Sequence, residues 1–163
     1  MKHGLLYGSY ELTLDEKNRL LIPSEIRRQL NPETNSDAFF LIVGINRKPW
    51  LYPERYYEEL VFQQAPEITP GEESLMFDQM NFAMTSRVEW DKQGRILVPD
   101  KTLRRTGINK DVTLIGARDH LELWNRADWE AWEIELDRQR VDIAHKAKQA
   151  RREDLHSGRP SLQ

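Results

Sequence analysis

Cysteine is absent from all 163 residues. That excludes disulfides, thiolate nucleophiles and cysteine zinc sites. No apolar run approaches the roughly 18 residues of a membrane-spanning helix. The opening stretch MKHGLLYGSYELTLDEK returns to charge too early for a signal peptide, so secretion is not expected. The four histidines, His3, His120, His145 and His156, are scattered too widely to read as a ligand pair. A glycine-rich phosphate loop and a His-Glu-x-x-His pair are both missing. Neither charge dominates: 24 basic residues face 27 acidic ones, a net of -3. That balance argues against broad, sequence-blind attraction to nucleic acid but leaves room for a local basic site.

What is present is an internal repeat. Residues 15–23 read DEKNRLLIP and residues 91–99 read DKQGRILVP, an offset of 76 with four identities in nine positions. Ile26-Arg27-Arg28 follows the first copy and Leu103-Arg104-Arg105 the second, an offset of 77. LIVG at 41–44 meets TLIG at 113–116 at an offset of 72, which places Gly44 on Gly116 and Leu51-Tyr52 on Leu123-Trp124. The second copy therefore carries one extra residue after Pro99, and the first carries five, assigned to NPETNSDA at 31–38.

Both copies share one grammar. Tyr10, Leu12 and Leu14, and Val88 and Trp90, alternate with polar residues as in a half-buried strand. A tight turn follows, with Asn18 and Gly94 at the position that tolerates positive φ. Leu20-Leu21-Ile22 and Ile96-Leu97-Val98 read as second strands that end at Pro23 and Pro99. Ser24 and Asp100 are the expected N-caps of short helices, and Gly107 the stop of the second. Strands are predicted at 39–45, 49–52, 112–117 and 120–124. A helix from Pro53 to Ala65 and another after Asn125 close the copies. PEITPGEES at 66–74 reads as a linker. LMFDQMNFAMT at 75–85 reads as a helix whose Met and Phe side chains serve the core. RQRVDIAHKAKQARR at 138–152 carries a net charge of +5, and 153–163 reads as disordered. The division is thus 1–65, a first module with its closing helix; 66–82, a linker and connecting segment; 83–137, a second module with the start of its closing helix; and 138–163, a basic helix end and tail.

The turns hold the chemistry. Lys17 and Arg19 lie in the first, Lys92 and Arg95 in the second, though the two lysines are not at equivalent positions. Phosphate binding needs cationic side chains, and a bidentate arginine suits the major-groove edge of guanine. The alternative is structural: each arginine pairs with Asp15 or Asp91, four residues earlier, and pins its own turn. An aspartic dyad of Asp15 and Asp91 is not supported, because the flanks are highly polar and a shared proton needs a dry cleft. The basic tail reads as a solvated helix end, a phosphate arm or an oligomer contact. Trp124, Trp129 and Trp132 read as core or as a subunit interface.

The motifs GSYELTLDEKNRLLIP at 8–23, VEWDKQGRILVP at 88–99 and LIGARDHLELWNRADWEAW at 114–132 resemble the MraZ family of bacterial regulators. Each module is similar to the AbrB-type swapped-hairpin fold. The resemblance implies an α+β chain of two tandem AbrB-like modules, forming one pseudo-dimeric β-barrel with flanking helices. It implies a sequence-specific transcriptional regulator, a repressor by expectation, that binds short G-rich direct repeats in double-stranded DNA. The implied target is the division and cell-wall gene cluster, and the implied assembly a ring-shaped homo-oligomer in the bacterial cytoplasm and nucleoid. Asp15, Arg19, Asp91 and Arg95 carry over as the DNA-facing signature. Lys17 falls within it, and Asn18 and Gly94 support the turns. Asn18 stands where the family usually has glycine. No catalytic residue, metal, cofactor, membrane or small-molecule substrate is expected. The alternatives are a protein-interaction module, such as an antitoxin, and a structural ring protein.

Overall fold

Residues 4–30 and 37–157 are described in the computed structural model of the chain. Residues 31–36, the greater part of the expected first-copy insertion, lie outside them, as do 158–163. The first copy builds β1 (Ser9–Thr13), β2 (Arg19–Leu21), α1 (Ser24–Gln29), β3 (Ala38–Val43), β4 (Pro49–Pro53) and α2 (Glu54–Phe62). Helix α3 (Glu72–Phe82) follows. The second copy repeats the series with β5 (Ser86–Glu89), β6 (Arg95–Leu97), α4 (Asp100–Thr106), β7 (Asp111–Gly116), β8 (Leu121–Asn125) and α5 (Arg126–Arg138), and α6 (Arg140–Ser157) ends the described chain. One compact unit ends at Arg126 and a second begins at Ala127.

The class is α+β, and the sheet interleaves the two copies. Six strands run in the order β1-β7-β8-β4-β3-β5, and β2 and β6 form a separate two-stranded ribbon. Hairpins β3–β4 and β7–β8 are local. The other pairings are not: β1 lies antiparallel to β7, β5 to β3, and β4 to β8. Each copy's first strand therefore pairs with the third strand of the other. Among the described residues β1 and β5 stand at the edges of this order, and the ladders do not close it into a barrel.

The registers locate a local twofold. In the ribbon Leu20 stands opposite Ile96, its equivalent at the offset of 76. In the sheet Trp50 stands opposite Glu122, its equivalent at the offset of 72. The backbone bonds obey the same symmetry. Ile22 N–H donates to the Gly94 carbonyl at 2.8 Å, and Val98 N–H to the Asn18 carbonyl at 2.9 Å.

Burial follows the period-2 pattern of the sequence. Leu20, Ile22 and Ile96 are sealed together with Ile26, Phe39, Leu41, Leu51, Val98, Val112, Leu114, Leu121 and Leu123 in one core. Each such aliphatic side chain contributes about 2 kcal/mol by leaving water. Ribbon neighbours Leu21 and Leu97 point the other way and are exposed.

Four expectations need correction. Ser24 and Asp100 are not side-chain caps: Pro23 and Pro99 occupy the cap positions, and no side chain caps α1 or α4. The proline carbonyls start the helices instead, accepting from Arg27 N–H and Leu103 N–H, each at 3.1 Å. These matched bonds keep the offset at 76 there, so the extra residue of the second copy falls inside α4, not directly after Pro99. Helix α3 forms but serves no core, because Leu75, Met76, Phe77, Met80 and Phe82 are spread around the whole helix and are all exposed. Residues 153–157, expected to be disordered, extend α6 to Ser157. Gly107 does stop α4, at φ 67°.

Candidate functional site

Each signature folds into the same small device. Asp15 N–H donates to the Arg19 carbonyl at 3.0 Å, and Asn18 N–H to the Asp15 carbonyl at 3.0 Å. One oxygen of the Asp15 carboxylate, Oδ1, accepts from the Lys17 and Arg19 amides, each at 2.9 Å. The other, Oδ2, accepts from Arg19 Nε at 2.7 Å. The second turn repeats every bond. Asp91 Oδ1 accepts from the Gln93 and Arg95 amides at 2.9 and 3.0 Å, and Oδ2 from Arg95 Nε at 3.0 Å and Nη2 at 2.9 Å. Asn18 at φ 60° and Gly94 at φ 80° turn the chain back, as a three-residue loop ending in the left-handed region requires.

The aspartates therefore build the turns and aim the arginines. The Arg19 amide, before any other group, holds the Asp15 carboxyl below the ordinary carboxylate range. Partial desolvation opposes it, and the Arg19 guanidinium and Lys17 amide add to it. Asp91 is lowered in the same way, first by the Arg95 amide. Both carboxyls are driven to ionise, the reverse of what a proton-sharing pair needs.

The ribbon brings the two arginines together. Arg19 stands opposite Leu97, and Leu21 opposite Arg95. Cross-strand partners and residues two apart share a face of a strand pair. One face thus reads Arg19, Leu21, Leu97, Arg95, while Leu20 and Ile96 fill the core behind it. Diagonal neighbours in such a ladder sit about 7–8 Å apart. The Arg19 and Arg95 side chains are 32% and 28% exposed, so the aspartates orient the guanidinium groups without enclosing them. Lys17 and Lys92 are exposed on the loops beside them.

The turns differ in what leans on each. Asn18 Nδ2 donates to Asp100 Oδ1 of α4 at 2.7 Å. Gly94 instead lies beneath Arg27 of α1: a Cβ there would fall 2.8 Å from the guanidinium carbon. An anion flanks the first turn and a cation the second.

A second constellation, on the sheet, was invisible in the sequence. His120 is buried between two carboxylates, with Nδ1 2.7 Å from Asp119 Oδ1 and Nε2 3.1 Å from Glu122 Oε1. Trp124 Nε1 and Asn46 Nδ2 donate to Glu122 Oε2 at 2.8 and 3.3 Å, and the Tyr56 hydroxyl donates to Asp119 Oδ2 at 2.9 Å. The Trp50 ring stacks on His120 with centroids 4.2 Å apart. Desolvation pulls the imidazole pKa down, but bonds to Asp119 and Glu122 outweigh it and the pKa is raised. Desolvation likewise pushes Asp119 and Glu122 up, but hydrogen bonds, first of all those with His120, bring both below the ordinary range. Desolvation and the bond to Asp119 push the Tyr56 hydroxyl up to about 12. An imidazolium clamped by two carboxylates, with the spare carboxylate oxygens bonded, is a structural lock. Among the described residues no group of three or more metal-ligating side chains forms a metal site, and no helix is long and apolar enough to cross a membrane.

The tryptophans divide. Trp124 is buried in the sheet, with Lys48 Nζ 4.8 Å from its ring centroid. Trp132 on α5 is exposed, and Trp129 is half-buried.

The sequence profile of a family described as "MraZ protein, putative antitoxin-like" matches residues 5–78 and again 81–152. A protein of Mycoplasmopsis pulmonis named transcriptional regulator MraZ is 30% identical over 146 residues, covering 89% of this chain and 96% of that protein. Proteins of the same name from Pediococcus pentosaceus and Clostridium tetani are 31% and 29% identical over 86% and 78% of this chain, and 94% and 87% of their own lengths. The two profile matches fall one on each copy of the repeat and between them span most of the sequence: the chain belongs to the MraZ family.

Proposed function

We propose that this chain is a sequence-specific, DNA-binding transcriptional regulator that reads duplex DNA with the paired turns of the β2–β6 ribbon. The observation that carries the reading is the shared outer face of that ribbon, where Arg19 and Arg95 are each aimed by an aspartate and flanked by exposed Lys17 and Lys92. A two-stranded antiparallel ribbon fits the major groove, and arginine is its commonest guanine reader. The relatives named as transcriptional regulators support it. In the finer reading the protein is a repressor of the division and cell-wall gene cluster in the cytoplasm and nucleoid, binding direct repeats as a ring of identical chains. The two modules, 1–65 and 83–137, act as its working halves. The concentration of exposed apolar side chains on α3, Leu75, Met76, Phe77, Met80 and Phe82, supports assembly.

Selection of bound duplexes from random DNA, with the oligomer mass measured alongside, tests the reading. Arg19→Ala and Arg95→Ala are each expected to weaken the selected site by about 1–3 kcal/mol and to lose discrimination against a scrambled one. Equal affinity of wild type and both variants, with folding intact, removes the turns from the interface.

A second reading, a protein-interaction module of antitoxin type, is favoured by the family's description and by the same α3 surface. Failure to enrich any DNA sequence, together with tight capture of a protein partner, would select it.

A further inference from the structure

Arg27 lies outside both signatures and has no assigned role. Its Nε is buried and makes no hydrogen bond. Its neighbour Arg28 reaches Glu25 at 3.8 Å, whereas Arg27 forms no ion pair with a carboxylate among the described residues. A half-buried guanidinium with an unsatisfied nitrogen is costly unless an anion completes it. Its position says which anion. The group rests on Gly94, where a Cβ would come within 2.8 Å of its Cζ and 3.0 Å of Nε and Nη1. Gly94 is the pivot of the second turn and the residue before Arg95. Arg27 as a whole is only half-buried, which leaves its terminal nitrogens able to take an oxygen brought up to that turn. Arg27 belongs to α1 and not to the ribbon face that carries Arg19 and Arg95, so it lies beside the base-reading face and not on it. A backbone phosphate beside the groove suits it.

The first turn has the opposite neighbour. At the offset of 76 the place of Arg27 is taken by Leu103, which packs on the core, and the side chain touching the turn is Asp100. A carboxylate there repels a phosphate.

We infer that Arg27 is a DNA-phosphate-binding residue of the second turn, and that Asp100 weakens the first, so that one chain presents a strong and a weak DNA contact. This rests on the DNA-binding reading above. The experiment titrates the full chain onto two fixed duplexes about four helical turns long, one recovered by selection and one scrambled, at several salt concentrations. Arg27→Gln is expected to lower the slope of log affinity against log salt by about one unit on both duplexes, and Arg27→Lys to retain it. Asp100→Asn is expected to tighten binding to both. In an Arg95→Ala background, where the second turn no longer docks, Arg27→Gln should change the slope no further; in an Arg19→Ala background the full change should remain. An unchanged slope in folded Arg27→Gln overturns the assignment. If that variant does not fold, a slope lost in Arg27→Lys overturns the assignment, and no tightening by Asp100→Asn overturns the inequality. Wild type that binds neither duplex at any salt defeats the DNA reading itself, which is distinguishable from a wild type that binds while Arg27→Gln matches its slope.

Discussion

The two turns are made by the same bonds and set in different surroundings. Asp15 and Asp91 each accept two amides and a guanidinium with distances that agree within a few tenths of an ångström. Yet Asn18 closes the first turn where Gly94 closes the second, and Asp100 faces the first where Arg27 covers the second. What is held constant is the aiming of the arginine. What varies is the field around it. A symmetric dimer of identical modules could not make that distinction, because every difference would appear twice. Fusing the modules in one chain lets the local twofold stay in the backbone while the side chains near it diverge. Even on the axis the pair need not match: Trp50 faces Glu122.

The first way to break the comparison is at the ribbon's inner face, where the halves should be equal. Leu20 and Ile96 are both fully buried and stand opposite each other. Leu20→Ala and Ile96→Ala are each expected to cost about 3 kcal/mol in urea unfolding, within the usual range for truncating a sealed aliphatic side chain. One loss far below the other would show that the two halves do not share one core at this point.

The second prediction addresses a difference on the sheet. Position 120 corresponds to Lys48 at the offset of 72, so the histidine lock belongs to the second half only. His120→Ala leaves a buried Glu122 and a half-buried Asp119 without their cation, at a cost of about 3 kcal/mol. The effect depends on pH. The raised His120 pKa means that the imidazolium's contribution is complete below the unfolded histidine value of about 6.5 and fades as pH rises through the folded value. The lowered Asp119 and Glu122 values act at the other end, contributing above their unfolded pKa values and failing as pH falls through the folded ones. The gap between wild type and His120→Ala should therefore be wide at about pH 6 and narrow as the solution becomes alkaline. A gap that widens with pH would mean that His120 is held neutral.

Much of this was legible because it is local. The turn, its left-handed residue, the Asp–Arg spacing and the buried aliphatics of the second strands all lie within nine consecutive residues of each copy. The pairing of β1 with β7 and of β5 with β3 is not legible in the same way, since no short window records which distant strand completes a sheet; the family resemblance implied only that the two modules combine. The His120 lock was missed for the same reason: Asn46 and Trp50 reach it only across the β4–β8 ladder. Arg27 was hidden by alignment. Matching Ile26-Arg27-Arg28 to Leu103-Arg104-Arg105 gave it an arginine counterpart, whereas the first helical bonds set it opposite Leu103. The α3 residues misled in another way, since apolar composition without a single apolar face does not make a core helix.

A smaller effect separates the pivots. Gly94→Ala places a Cβ at φ 80° and drives it into the Arg27 guanidinium. The left-handed conformation alone costs about 1–2 kcal/mol for a residue with a side chain, so about 2 kcal/mol is expected in unfolding. Combining it with Arg27→Ala should recover the part due to collision and leave the part due to strain. Full recovery would mean that the turn itself tolerates alanine.

The smallest effect is expected at Asn18→Gly, the change that makes the first pivot resemble the second. Asparagine already tolerates φ 60°, so glycine relieves only a little strain there while adding freedom to the unfolded chain. The bond from Asn18 Nδ2 to Asp100 Oδ1 is lost, but it lies at the surface, where water replaces it readily. These terms oppose one another, and stability should stay within about 0.5 kcal/mol of wild type. The change in charge environment is the more telling readout. Freed of its asparagine partner, Asp100 still carries its charge beside the first turn, so DNA affinity should not rise as it does for Asp100→Asn. If Asn18→Gly tightened binding as much as Asp100→Asn does, the weakness of the first turn would lie in its pivot, and the carboxylate would not be the feature that distinguishes the two.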